Sequence, residues 1–288
     1  MLRTRVITAV ILAAIFLAAV WWLPRSGWAL FTFAVAAIAL WEWSRMAQFA
    51  GNVARIFLAV SFVLALAFLY AFQADEPSAM WQWGQTAIST GLGASVVFWV
   101  VIAPLWLKFH WRPRNAFVLA AAGWVVIFPT WFALMVHRPR EADPISLLLL
   151  MALVWVADIC AYFAGRAFGK HKLAPNVSPG KTWEGVAGAM LGVVVYASLC
   201  LAAARRFGGA EGTALKAGAP VVVVSFVILT MLSIVGDLFE SWMKRGAGLK
   251  DSSNLLPGHG GLFDRIDALT STLPTAPFVI LAVQRLIS

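Results

Sequence analysis

The sequence predicts an all-α integral membrane protein, a polytopic bundle of about nine transmembrane helices. Of its 288 residues, 61% are hydrophobic and only 12% are charged. Soluble domains carry about 25% charged residues, so this chain cannot cover a water-facing surface of its size. A mean hydropathy of +0.83 excludes a disordered chain as well. Apolar stretches long enough to span about 30 Å of hydrocarbon recur along the whole sequence. Alternation sustained over about 10-residue segments, the mark of a membrane β-barrel, does not occur.

The stretches cover residues 6–23, 27–43, 56–72, 86–107, 116–136, 144–164, 185–204, 219–239 and 268–286. Gly91 and Gly93 are expected to break the fourth. Arg3 and Arg5 precede the first stretch as they would in a signal peptide. That stretch ends in Trp21-Trp22-Leu23-Pro24-Arg25, however, with no small-residue cleavage site, and it reads as a retained helix. Residues 1–143 hold about five helices, and residues 144–288 hold the rest with two polar segments, 165–184 and 240–267. Many of the 15 tryptophans stand at stretch ends, where interfacial aromatic belts form. Cys160 and Cys200 lie in apolar runs and suit neither a disulfide framework nor a zinc site.

The formal net charge is +9. In a soluble domain that would point to nucleic acid; in a membrane protein it marks cytoplasmic loops, and no nucleic-acid partner is expected. Arg45, Arg55, Lys108, Arg112 and Arg114 fall in loops that alternate with one holding Asp75 and Glu76. The alternation puts the N-terminus and both polar segments in the cytoplasm of a multi-pass inner (plasma) membrane protein. Arg138, Arg140, Arg205 and Arg206 are then left on the outer side.

Carboxylates inside apolar stretches cost several kcal/mol unless paired, hydrated or metal-bound. Asp158 is such a residue, and Asp237 closes another stretch. On a helix Asp158, Tyr162 and Gly165 share a face. Beyond them two prolines and several glycines are expected to make an irregular loop. After it Ser178, Lys181, Thr182 and Glu184 stand where the next helix begins, and free N–H groups at a helix start favour an anion. Gly180-Lys181-Thr182 resembles the end of a phosphate-binding loop, but the motif's first glycine and its βαβ setting are missing. In the second segment Asp237, Glu240, Ser241 and Lys244 line one helix face, and Asp264 and Asp267 repeat the i, i+3 spacing. Residues 257–261 cannot be regular helix, and their glycines let backbone approach a ligand. Acidic oxygens amid Lys and Arg are what Mg²⁺ with a polyphosphate requires. His171 and His259 lack companion ligands for zinc. Spacing alone does not choose among Asp237, Glu240, Asp264 and Asp267.

The second segment resembles the signature of the phosphatidate cytidylyltransferase (CDP-diacylglycerol synthase) family. The match runs through Ser241, Lys244, Arg245, Lys250, Asp251, Ser253, Pro257, His259, Gly260, Gly261, Asp264, Arg265 and Asp267. Asp158, Tyr162, Gly165, Ser178, Pro179, Lys181, Thr182, Glu184 and Gly185 resemble the same family's upstream region. The resemblance implies transfer of the cytidylyl group of CTP to phosphatidate, releasing pyrophosphate, with Mg²⁺ as cofactor. A second, monovalent cation and a homodimer are both compatible with it. It implies Asp237 and Asp264 as principal metal ligands, followed by Asp267 and Glu240. Lys244, Arg245, Lys250 and Arg265, with Ser178, Lys181 and Thr182, are then the phosphate contacts. Asp158, Tyr162, Glu184, Ser241, Asp251, Gly260 and Gly261 complete the expected substrate site, and His259 is expected to orient rather than to act as a base. The phosphate monoester nucleophile is ionised near pH 7, with a second pKa of about 6, so no strong base is required. An ion-coupled transporter and a CTP-dependent polyprenol kinase are the alternatives, the former weakened by the absence of a two-fold repeat.

Overall fold

The computed structural model describes residues 2–138, 144–207 and 218–287, with side chains from residue 6 onward. Helices α1 (Leu2–Trp22), α2 (Arg25–Met46), α3 (Gly51–Gln73), α4 (Ala79–Lys108) and α5 (Ala116–Val136) form the first half. Then come α6 (Ile145–Phe168), a two-stranded antiparallel hairpin of β1 (Lys172–Ala174) and β2 (Ser178–Thr182), α7 (Trp183–Phe207), α8 (Ala219–Gly246) and α9 (Phe263–Ile287). Among the described residues eight helices, α2 to α9, are long and apolar enough to cross a membrane; the apolar part of α1, Val6–Trp22, is shorter. The protein is a polytopic all-α membrane protein. Arg140 lies outside the described residues, and Arg138 donates to the carbonyls of Val20 and Leu23 at the α1–α2 turn.

Two expectations change. Helix α4 is not broken at Gly91 or Gly93; it runs through both and carries a π turn at Phe98–Ile102 instead. A helix in hydrocarbon has no water to take over its N–H and C=O groups, so it keeps its ladder across glycine. Gly91 serves packing, since a Cβ there would lie 3.2 Å from Phe132. Segment 165–184 is not wholly irregular either. Helix α6 continues to Phe168, the hairpin follows, and Thr182 Oγ1 accepts the Gly185 N–H at 3.1 Å to cap α7.

Helix α6 packs along α7 and α8 along α9, with α7 also meeting α8. Small residues make both approaches possible. A Cβ on Gly188 would sit 2.2 Å from that of Ala164, and one on Gly236 would sit 2.9 Å from the Asp267 carbonyl. The second contact brings the C-terminal half of α8 against the first turns of α9. Phe239, three residues beyond Gly236, holds that register from a neighbouring face of α8. Phe98, Trp99 and Trp106 meet its ring edge-on at centroid distances of 5.3, 5.6 and 5.4 Å, and Trp43 stacks at 6.4 Å.

Helix α9 contains Pro274 and Pro277, which cannot donate to the carbonyls of Thr270 and Leu273. The groups so freed face α5. His137 Nε2 meets Leu273 O at 3.1 Å, and Thr130 Oγ1 reaches Thr270 O at 3.4 Å. A carbonyl only accepts, so Nε2 of His137 carries the proton, and desolvation lowers the ring's pKa to keep it neutral.

The α8–α9 approach is testable by contrast. Gly236→Ala overpacks it and should cost about 1–3 kcal/mol. Gly93→Ala, with nothing within 4 Å of the new Cβ, should leave stability unchanged or raise it. Thermal unfolding of the two purified variants in detergent compares them directly.

Candidate active site

Both polar segments converge at one end of the bundle. The hairpin delivers Lys181, whose Nζ lies 2.6 Å from Asp237 Oδ2 on α8. Asp158 of α6 lies within electrostatic reach of Asp237, Lys181 and Arg265. Asp267 of α9 feels Asp237, Lys181 and Asp158 in turn. Four elements therefore contribute to one cluster: α6, the hairpin, α8 and α9.

Within it, Asp237, Glu240 and Asp267 each offer a carboxylate oxygen within 4.8 Å of the other two. Asp237 and Glu240 come together because they are three apart on α8, and Asp267 joins because α9 presses on α8 at Gly236. Glu240 is 2% exposed, and neither of its oxygens accepts a hydrogen bond. Lys244 Nζ lies 2.5 Å from its Oε2, a charge contact outside hydrogen-bonding geometry. Converging hard oxygens, one of them buried without a donor, fit a divalent cation such as Mg²⁺. They do not fit zinc, because among the described residues no His or Cys joins the group.

Asp264 stands outside that trio, and its role differs from the sequence expectation. Its Oδ1 accepts from Lys244 Nζ at 2.6 Å. Its Oδ2 accepts from Ser252 N at 2.9 Å, Ser252 Oγ at 3.0 Å and Gly261 N at 2.7 Å. A carboxylate with both oxygens so engaged organises the loop between α8 and α9. Lys244, expected at a phosphate, is 11% exposed and shared between Glu240 and Asp264. Spacing along α8 showed its face but not this neighbour.

The remaining expected residues divide by exposure. Arg245, Lys250, Asp251 and Arg265 are exposed around the cluster. Arg245 donates to Leu249 O at 3.2 Å. His259 Nδ1 is buried and has no hydrogen-bond partner among the described residues. Gly260 has φ +83°, and a Cβ there would lie 2.7 Å from Asp264 Oδ2, so the turn requires glycine. Ser241 Oγ reaches Asp237 Oδ1 at 3.4 Å, and Ser178 starts β2. Tyr162 accepts from Arg166 at 3.0 Å, and Glu184 meets His171 Nδ1 at 2.6 Å, both at the exposed edge of the site.

Sequence reasoning missed Glu42. It lies on α2, wholly buried, and accepts from Ser253 Oγ at 2.5 Å, Leu262 N at 2.9 Å and Phe263 N at 2.5 Å. The rule that singled out Asp158, an acid within an apolar stretch, applied to Trp41-Glu42-Trp43 equally. Its place near a stretch end, between two tryptophans, gave it the look of an interfacial residue.

The profile of the cytidylyltransferase family matches residues 3–284. A Pseudomonas aeruginosa protein named phosphatidate cytidylyltransferase is 38% identical over 95% of this chain and 95% of its own length. A Haemophilus influenzae protein of the same name is 33% identical, over 95% and 96%. One from Thermotoga maritima is 34% identical over 169 residues, 58% of this chain and 61% of its own. With a match that takes in the helical first half as well as both polar segments, the chain belongs to the cytidylyltransferase family.

Proposed function

We infer that this chain is a phosphatidate cytidylyltransferase: it converts CTP and phosphatidate to CDP-diacylglycerol and pyrophosphate at the cytoplasmic side of a bacterial inner membrane. The observation that supports this best is the Lys181–Asp237 contact, which joins the two polar segments into one site. Full-length similarity to proteins named for this activity supports it independently. A transporter or a polyprenol kinase is not favoured by either.

In the reaction an oxygen of the lipid phosphate forms a bond to the α-phosphorus of CTP, and the bond from that phosphorus to the bridging oxygen breaks. The electron pair leaves with pyrophosphate. The nucleophile is already an anion, so the barrier comes from bringing anions together and from charge growing on the leaving group. Asp237, Glu240 and Asp267 are the residues that would hold Mg²⁺, which when bound supplies charge neutralisation for the phosphate oxygens. Exposed Arg265 and Lys250 meet the phosphates, and Lys181 can pass from Asp237 to an incoming phosphate with its charge still matched. Lys244 keeps Glu240 and Asp264 from repelling each other. His259 offers a ring nitrogen for orientation, and Asp158 marks the membrane-side edge of the site. Positioning and charge thus do the work that a general base does elsewhere.

Five outcomes are expected on this reading. CTP labelled at its γ-phosphate should yield labelled pyrophosphate only when phosphatidate is present; label appearing on the lipid would indicate a kinase. Asp237→Asn, Glu240→Gln and Asp267→Asn should each lower kcat/KM on the order of 10²–10³-fold, as loss of one transition-state charge contact does. Mg²⁺ should raise the melting temperature of the parent protein and not that of Asp237→Asn. Asp264→Asn should differ in kind, lowering the melting temperature itself. It takes one of two carboxylates from Lys244 and turns an amide donor toward Lys244 or toward the Ser252 and Gly261 donors, at a cost of about 1–3 kcal/mol. Finally, Asn254 is exposed in the loop before α9. Asn254→Cys, in a background without Cys160 and Cys200, should react in intact cells with permeant thiol reagents alone. Labelling by an impermeant reagent would reverse the orientation.

A further inference from the structure

We propose that Glu42 is a positioning residue for cytidylyl transfer: from α2 it holds the 252–263 segment in the one arrangement that sets Asp264, and through it Lys244 and Glu240. The proposal rests on the cytidylyl-transfer reading of the site. Glu42 is 0% exposed, and among the described residues no Lys, Arg or His nitrogen pairs with it. Its partners are all neutral donors: Ser253 Oγ, and the N–H groups of Leu262 and Phe263 at the start of α9. Those N–H groups belong to the first turn, which has no intrahelical acceptors, and the positive end of the helix favours a carboxylate there.

The segment is gripped alternately from two sides. Ser253, Leu262 and Phe263 donate to Glu42, while their neighbours Ser252 and Gly261 donate to Asp264. A Cβ at Gly261 would lie 2.4 Å from Glu42 Oε1 and 2.0 Å from Ser252 Oγ, so the backbone passes between the two grips with no room to spare. Moving the first grip moves the second. Asp264 Oδ1 is also what holds Lys244 beside Glu240, at 2.6 Å on one side and 2.5 Å on the other. A residue on the second helix thereby acts on the carboxylate cluster without touching it. Trp43 reinforces the same tie, because its ring packs on both Phe239 of α8 and Phe263 of α9.

Glu42→Gln is the informative change. It keeps the volume but turns one acceptor oxygen into a donor facing donors. Hydrogen exchange of the purified protein in detergent should then quicken about tenfold or more over residues 249–267 and stay unchanged over residues 183–207. At saturating CTP and phosphatidate, kcat per folded molecule should fall roughly 10- to 100-fold, the effect of a buried unsatisfied group. KM for CTP should move by less than about threefold, since the exposed phosphate contacts are untouched. Ser253→Ala removes one donor to Glu42, together with the acceptor that the Leu255 N–H uses at 3.1 Å, and should give the same pattern at about two- to tenfold. It decides the matter if the Gln variant does not fold. A purely structural Glu42 would lower the melting temperature and the yield of folded protein with kcat per folded molecule unchanged, and that result overturns the proposal. Unchanged exchange over residues 249–267 overturns it too. Parent protein that releases no pyrophosphate would remove the cytidylyl-transfer reading, while the exchange data would still report on the Glu42 tie.

Discussion

A carboxylate inside a membrane-spanning bundle must be answered by a cation or by N–H and O–H donors, because hydrocarbon offers nothing else. The acids in this protein are answered in different ways, and their chemistry differs accordingly. Glu42 is met by neutral donors alone and is fully buried. Asp264 is met by donors and by Lys244 together. Asp237 has a partly exposed lysine from a hairpin. Glu240 has a single close ammonium and no hydrogen bond. The first two have their oxygens fully engaged by donors; the last two retain capacity for a ligand. This gradient, more than the acid count, separates scaffold from reactive centre.

The bundle is arranged to maintain the gradient. Close approach at Gly236 and the aromatic box around Phe239 hold α8 on two neighbouring faces, the first against α9 and the second against α4 and α2. The first contact is reinforced by Ser271 Oγ donating to Leu232 O at 2.8 Å. Neither uses a carboxylate side chain, so together they fix the rotation of α8 without competing for the carboxylates. The hairpin is different. A two-stranded ribbon is barely stable alone, and this one rests on its neighbours through buried Val177 and Thr182. The part of the site that carries Lys181 is thus the least constrained, and the part that carries Asp264 the most.

Much of this was legible in the sequence, within a definite limit. Apolar length gave the helices, and the i, i+3 spacings of Asp237 with Glu240 and of Asp264 with Asp267 gave the two acidic faces. Spacing along one helix is silent, however, about how far the next helix is rotated. Rotation decided that Asp267 rather than Asp264 joins Asp237 and Glu240, and that Lys244 is enclosed. The hairpin was hidden for another reason: Pro175, Pro179 and Gly180 are loop residues by every local rule, and the pairing is supplied by packing on α7 and α8. Glu42 was open to the rule that found Asp158, but its partners lay beyond reach, being 211 to 221 residues away.

That separation also has a consequence in time. A ribosome adds about 5–20 residues per second, so α2 enters the membrane roughly 10–40 s before the segment that supplies donors to Glu42 exists. Until then a carboxylate sits in a helix hairpin with no permanent partner. It must be hydrated at the interface or protonated, either of which keeps α2 from settling into its final depth. Helix α5 waits in the same way, because the carbonyl that His137 serves belongs to α9. The first half of the chain is therefore inserted early but completed late, and a nascent chain interrupted before α9 would present membrane quality control with unsatisfied polar groups in two helices that look finished.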